Sequence, residues 1–143
     1  MAIDRRLFFM FSRAFRAMIA YVDARTLDAV GLTTAQLGAL YYVAGHDGCS
    51  LSDVANLLDM NKSAVTAQIR RLERAGVVRR EPNPDDARGS RLFLTEHGKE
   101  VRVESVAVIR RLTAEVMHGF SETERDVVFR FLNDVVERYG DAD

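Results

Sequence analysis

The feature that most constrains this chain is a change of hydrophobic period at Gly76, with both of its prolines just beyond it. Before Gly76, apolar residues recur every three or four positions, the spacing of a helix face. After it, Val77 to Glu81 and Ser90 to Thr95 read as short extended segments, Leu92 and Leu94 alternating with Arg91 and Phe93. Between them Pro82-Asn83-Pro84-Asp85-Asp86-Ala87-Arg88-Gly89 has the composition of a turn. The pattern predicts one β-hairpin with a long tip, its prolines where no ladder donor is needed. The rest of the chain predicts helices, so the fold class is mainly α with a small β-hairpin.

The helices have readable starts and stops. Leu7, Phe11, Ala14, Phe15, Met18 and Val22 mark a first helix from about Ile3 to Ala24. Phe8, Met10 and Ile19 widen its apolar arc beyond the roughly 100° that one packing neighbour needs. Thr33 with Gln36 forms a capping box for a second helix, closed by Gly45 and Gly48. Ser50 with Asp53 opens a third, in which Leu51, Val54, Ala55 and Leu58 form one stripe. Asp59-Met60-Asn61 breaks it, and a fourth runs from Lys62 to Ala75, stopped by Gly76 in the C′ position. Thr95 caps a fifth helix to about Met117; Ser121-Glu122-Thr123-Glu124 opens a sixth, ending near Gly140.

Composition places this pattern in an ordinary globular setting. The 143 residues, 48% hydrophobic and 29% charged, have room for one domain or two small lobes sharing a core. One cysteine, Cys49, excludes an intrachain disulfide and a multi-cysteine zinc site. The apolar run Leu7 to Phe11 is too short for a signal peptide or a membrane span. A cytoplasmic protein with no membrane partner is the expectation.

Two short helices joined by three residues and followed at once by a hairpin give the order helix-turn-helix plus wing. Stepping 100° per residue from Val65 puts Ile69 at about 40° and Leu72 at about 340°, which defines the buried side. Ser63, Thr66, Ala67, Arg70 and Arg74 then fall outward, between about 100° and 200°. Small residues let a helix backbone approach base edges, and hydroxyls and guanidinium groups bond bases or phosphates. A solvated face accommodates the same residues equally well. The hairpin tip adds weight: Asp85 and Asp86 are placed to brace the loop by carboxylate–guanidinium and carboxylate–amide bonds. An Arg88 held at the end of a projecting ribbon suits a minor groove, where negative potential is concentrated. The plainer alternative is a surface turn with a weak exposed ion pair.

Leu72-Glu73-Arg74-Ala75-Gly76-Val77-Val78, Pro82-Asn83-Pro84-Asp85-Asp86-Ala87-Arg88 and Leu94-Thr95-Glu96-His97-Gly98 resemble the winged helix-turn-helix of the multiple antibiotic resistance regulator (MarR) family. The family's wing pattern is close to D-P-x-D-x-R, a strand, then L-T-x-x-G. Asn83 replaces the first Asp, while Asp86 and Arg88 match the D-x-R. The six-helix order extends the similarity over essentially the whole chain.

The resemblance implies a homodimeric transcription factor, a repressor of a pseudo-palindromic operator, with double-stranded DNA as partner. It divides the chain into residues 1–32 for dimerisation, 33–98 for DNA binding (recognition helix 62–75, wing 77–95) and 99–143 for dimerisation. Asn61, Lys62, Ser63, Thr66, Ala67, Arg70 and Arg71 are the expected major-groove and phosphate contacts. Arg88 is the expected minor-groove contact, supported by Asp86. It also implies a site for a small aromatic anion, for which Phe11, Phe15, Tyr41 and Tyr42 are the candidate lining, with Arg13 or Arg16 nearby. Each of these reads more simply as a core or interface residue. The over-wide arc of the first helix, with Phe129, Phe131 and Val136 on the last, independently leaves surface for a second copy.

Other chemistries find little purchase. His46, His97 and His118 are far apart in sequence and form no metal-ligand spacing. Cys49 reads as a packed small thiol. No phosphate loop, nucleophile elbow or carboxylate pair occurs, so no catalytic residue, cofactor or metal is expected. The rival readings are a winged-helix protein-interaction module and a thiol- or metal-responsive sensor on the same scaffold. The net charge of -1 taken whole argues against nucleic acid. Its distribution reverses that: residues 60–102 sum to +4 and residues 103–143 to -4.

Overall fold

Five of the six helices among the described residues start where a short polar side chain accepts from the backbone amide three residues on. In a computed structural model describing residues 3–140, α1 (Leu7–Val30), α2 (Thr34–Gly45), α3 (Leu51–Leu58) and α4 (Lys62–Arg74) precede a hairpin, β1 (Val78–Asn83) and β2 (Asp86–Leu94). α5 (Glu96–Val116) and α6 (Glu122–Tyr139) follow. Reciprocal capping boxes open α2 (Thr33 with Gln36), α3 (Ser50 with Asp53) and α6 (Ser121 with Glu124). Thr95 opens α5, its hydroxyl accepting from Gly98 N at 2.9 Å. Mainly helical with one hairpin, the described chain has the expected fold class.

α1 departs from expectation at both ends. It begins at Leu7 because Asp4 bonds the Arg6 amide (3.1 Å) and guanidinium (3.0 and 2.7 Å), which holds Arg6 outside helical geometry. It continues through Arg25-Thr26-Leu27-Asp28-Ala29 to Val30, since nothing stops a helix before Gly31, whose φ of 73° terminates it.

The hairpin is longer and its turn tighter than its composition predicts. β1 and β2 pair antiparallel from Val78↔Leu94 to Pro82↔Ser90, then slip to Asn83↔Asp86. Only Pro84 and Asp85 remain as turn, and a register shift between Pro82 and Asn83 absorbs the extra residues. On its other edge β2 meets Cys49 in an isolated bridge to Leu92.

The described residues up to Arg110 form one compact unit and those from Arg111 onward a second. In the first, α2, α3 and α4 pack on one another and against the hairpin. Leu37, Leu40, Val54, Ile69, Leu72 and Leu92 are the fully buried centre, each contributing about 1.5–3 kcal/mol by leaving water. α1 in that unit leaves Leu7, Phe8, Phe11, Phe15 and Met18 exposed by 42–87%. In the second unit, α6 buries none of its residues and exposes Val127, Phe129, Phe131 and Val136.

Candidate nucleic-acid interface

α4 turns one face inward and presents the other. Val65, Ile69 and Leu72 are at most 1% exposed, as the helical spacing predicts. Lys62, Ser63, Ala67, Arg70, Arg71 and Arg74 are exposed. Asn61 caps the helix, its side-chain oxygen accepting from Ala64 N at 2.9 Å, so its amide NH2 is the part left to face a ligand. Thr66 is half-buried and donates its hydroxyl to Lys62 O at 2.7 Å. It can therefore accept from a base or phosphate but has no proton to donate. Asp59 adopts the left-handed conformation (φ 48°) that turns α3 into α4.

The hairpin tip is braced through backbone rather than through charge. Asp86 Oδ1 accepts from Arg88 N at 3.0 Å, and Asn83 Oδ1 accepts from Asp85 N at 3.0 Å. The carboxylate–amide bond of Asp86 is present; a carboxylate–guanidinium bond to Arg88 is not among the described contacts. Asn83 supplies the acceptor that an aspartate would, so this replacement preserves the turn. Among the described residues, Lys62, Arg70, Arg71, Arg74 and Arg88 carry no ion pair. Their guanidinium and ammonium groups are free for phosphates or base edges.

Two connections that the sequence pattern did not single out fix the hairpin to α4. Arg80 in β1 grips Glu73 in α4 with two bonds, Nε to Oε1 at 3.2 Å and Nη2 to Oε2 at 3.1 Å. Thr95 donates to Gly76 O at 2.5 Å, and its amide donates to Val77 O at 3.1 Å. Gly98 lies so close to the Val77 carbonyl that a Cβ there would collide with it. The L-T-x-x-G run is thus the joint between the end of α4, the hairpin and α5. Glu73 and Arg80 carry no signal in spacing, being seven residues apart across a change of element.

Of the four aromatic candidates, Tyr41 and Tyr42 have partners of their own, and Phe11 and Phe15 lie exposed. Tyr41 shares a 2.7 Å hydrogen bond with Ser105, which is fully buried. Tyr42 stacks on His46 at 4.1 Å between ring centroids, and Phe11 and Phe15 are 47% and 55% exposed on α1. Cys49 is buried, and burial, then the Asp53 carboxylate, push its thiol up from about 9 to about 11. No group of three His, Cys, Asp or Glu among the described residues is placed to hold a metal ion.

Comparison with known proteins assigns the family. Residues 30–89 match the model described as MarR family. The transcriptional activatory protein BadR of Rhodopseudomonas palustris is 34% identical over 125 residues, 85% of this chain and 71% of BadR. The chain belongs to the MarR family of transcriptional regulators. The HTH-type transcriptional regulator BilQ of Clostridioides difficile is 31% identical over 100 residues, 70% of this chain and 68% of BilQ. Its relatives being transcriptional regulators, this MarR-family chain is a regulator and not an enzyme.

Solved structures share the fold. MarR superimposes with a TM-score of 0.85 at 24% identity, over 96% of this chain and 95% of MarR. BpsR of Bordetella bronchiseptica, a protein whose DNA binding is regulated by 6-hydroxynicotinic acid, has a TM-score of 0.80 at 24% identity, over 92% and 98% of the two chains.

Proposed function

We propose that this MarR-family regulator binds double-stranded DNA as a homodimer and represses transcription by occupying a pseudo-palindromic operator. The observation that carries the reading is the exposed polar and basic face of α4 together with Arg88, which has no ion pair among the described residues, on a braced hairpin tip. Residues 33–98 form the DNA-binding lobe. Ser63, Thr66, Ala67 and Arg70 read the major groove, Asn61, Lys62 and Arg71 hold phosphates, and Arg88 enters the flanking minor groove. Residues 1–32 and 99–143 supply dimerisation. The exposed aromatic residues of α1 and the exposed apolar residues of α6 support that part, because large apolar patches on a regulator call for a second copy.

Release from DNA follows when a small aromatic effector favours a dimer whose recognition helices are wrongly spaced. The regulation of BpsR by 6-hydroxynicotinic acid supports an effector of that class. Such a role belongs in the cytoplasm, and no helix among the described residues is long and apolar enough to cross a membrane. Kinship with BadR, an activatory protein, favours a second reading, activation from a site that does not block the promoter.

Selection from random DNA followed by titration at several salt concentrations tests the proposal. Two half-sites with centres about 10 bp apart, bound in a complex that weakens steeply with salt, are expected. No binding at low salt overturns it and leaves a protein-interaction module. A reporter carrying the selected operator across or upstream of the promoter separates repression from activation.

A further inference from the structure

A cleft of about 300 Å³, at the small end of small-molecule sites, opens between the end of α2, the root of the hairpin and the first turns of α5. Ala44, Phe93 and Leu94 form its apolar wall, and Asp47, Arg79, Lys99 and Arg102 supply its charges. The cations come from two elements. Arg79 faces Phe93 across the ribbon, its guanidinium 4.6 Å from the ring centroid. Lys99 and Arg102 are three residues apart on α5 and so share a face.

Two of these cations have partners and one does not. Arg79 pairs with Glu81 and Lys99 with Glu96, while Arg102 has no ion pair among the described residues. Both existing pairs involve side chains about half exposed or more, where water already screens the attraction. Neither Glu81 nor Glu96 lines the cleft, so an anion entering it can exchange for them with little loss. The Glu96 bond keeps the Lys99 ammonium charged, Asp47 adds to that effect, and Arg79 opposes it. All four charged groups line the one cleft.

We propose that this cleft binds a small organic dianion carrying a hydroxyl, a hydroxylated dicarboxylate or a phosphorylated hydroxy acid. One anionic group lies between Lys99 and Arg102, the other meets Arg79, and the hydroxyl donates to Asp47. The carbon skeleton rests on Phe93, Leu94 and Ala44. A monoacid supplies only one of the two anionic groups, and inorganic phosphate has no carbon skeleton to rest on Phe93, Leu94 and Ala44.

Calorimetric titration of the full chain with malate and with 3-phosphoglycerate, at constant ionic strength, tests the site. Saturable binding of at least one of them, one per chain and tighter than about 1 mM, is expected. Acetate and inorganic phosphate should bind about tenfold more weakly, and Arg102→Gln and Arg79→Gln should each lose about tenfold. Arg88→Ala and Arg70→Ala are the control for dianions held by the surface assigned to DNA. If those two variants lose binding while Arg102→Gln keeps it, the anion sits on that surface and the cleft is excluded. Absence of saturation with both probes, or equal binding by phosphate, also overturns the proposal. None of these readouts involves DNA, so failure here and failure of the operator titration are separate results.

Discussion

Arg80 and Glu73 meet with paired hydrogen bonds of 3.2 and 3.1 Å, and they belong to different elements, β1 and α4. Both side chains are 30% exposed, and the fork-to-carboxylate geometry fixes the angle at which β1 leaves α4. Glu73→Gln and Arg80→Gln should each weaken operator binding while leaving the helical content unchanged. A double-mutant cycle followed by urea unfolding should give a coupling of about 0.5–1 kcal/mol. Zero coupling, with DNA affinity unchanged in both single variants, removes the pair from the account of wing placement.

Gly98 is a packing requirement rather than a flexible point. A methyl group there would strike the Val77 carbonyl oxygen, a backbone atom with no rotamer to yield. Gly98→Ala should therefore lower stability by about 1–3 kcal/mol. It should also loosen the bonds Thr95 makes to Gly76 O and from Gly98 N. Denaturant unfolding of the variant checks the first expectation. A stability equal to that of the parent chain would mean that α5 can shift without strain.

Cys49 should be chemically quiet in the folded protein. Its thiol is buried and raised to about 11, chiefly by burial and then by Asp53, so almost none is thiolate at neutral pH. Alkylation at pH 8, read by mass, should be slow in the native protein and rapid in urea. The same shift gives a pH dependence of stability. From about 9 upward the unfolded thiol ionises before the folded one, so the unfolded state binds fewer protons and stability falls as pH rises towards about 11. Cys49→Ala should remove that fraction of the alkaline loss. Rapid native alkylation would revive a thiol sensor.

Much of this was legible in the residues, for reasons that are local. Thr33 with Gln36, Ser50 with Asp53 and Ser121 with Glu124 bond only within one turn, so sequence spacing is enough to find them. The buried face of α4 follows from the position of Val65, Ile69 and Leu72 on one stripe. What escaped depends on geometry between elements. Arg80 finds Glu73 only after the chain has turned at Gly76, and Gly98 meets Val77 only when α5 folds back. The composition of the hairpin tip, filled by Pro, Asn, Asp and Gly, predicts a long turn. The Asn83 and Asp86 side chains instead satisfy the backbone locally, which lets pairing continue to the last two residues.

Those same two bonds separate bracing from contact at the tip. Arg88→Ala removes the guanidinium itself and should weaken operator binding by about 1–3 kcal/mol, with the salt slope reduced by about 1. Asp86→Ala leaves Arg88 in place but removes the acceptor for its amide. It should weaken binding by about 0.5–1.5 kcal/mol through a looser tip, with the salt slope unchanged. Asp86→Asn keeps an oxygen in that position, as Asn83 already does for Asp85 N, and should restore most of the affinity. Anisotropy titrations of all three variants over a range of salt measure these differences. If Asp86→Asn binds as poorly as Asp86→Ala, the carboxylate acts through its charge and the bracing role is wrong.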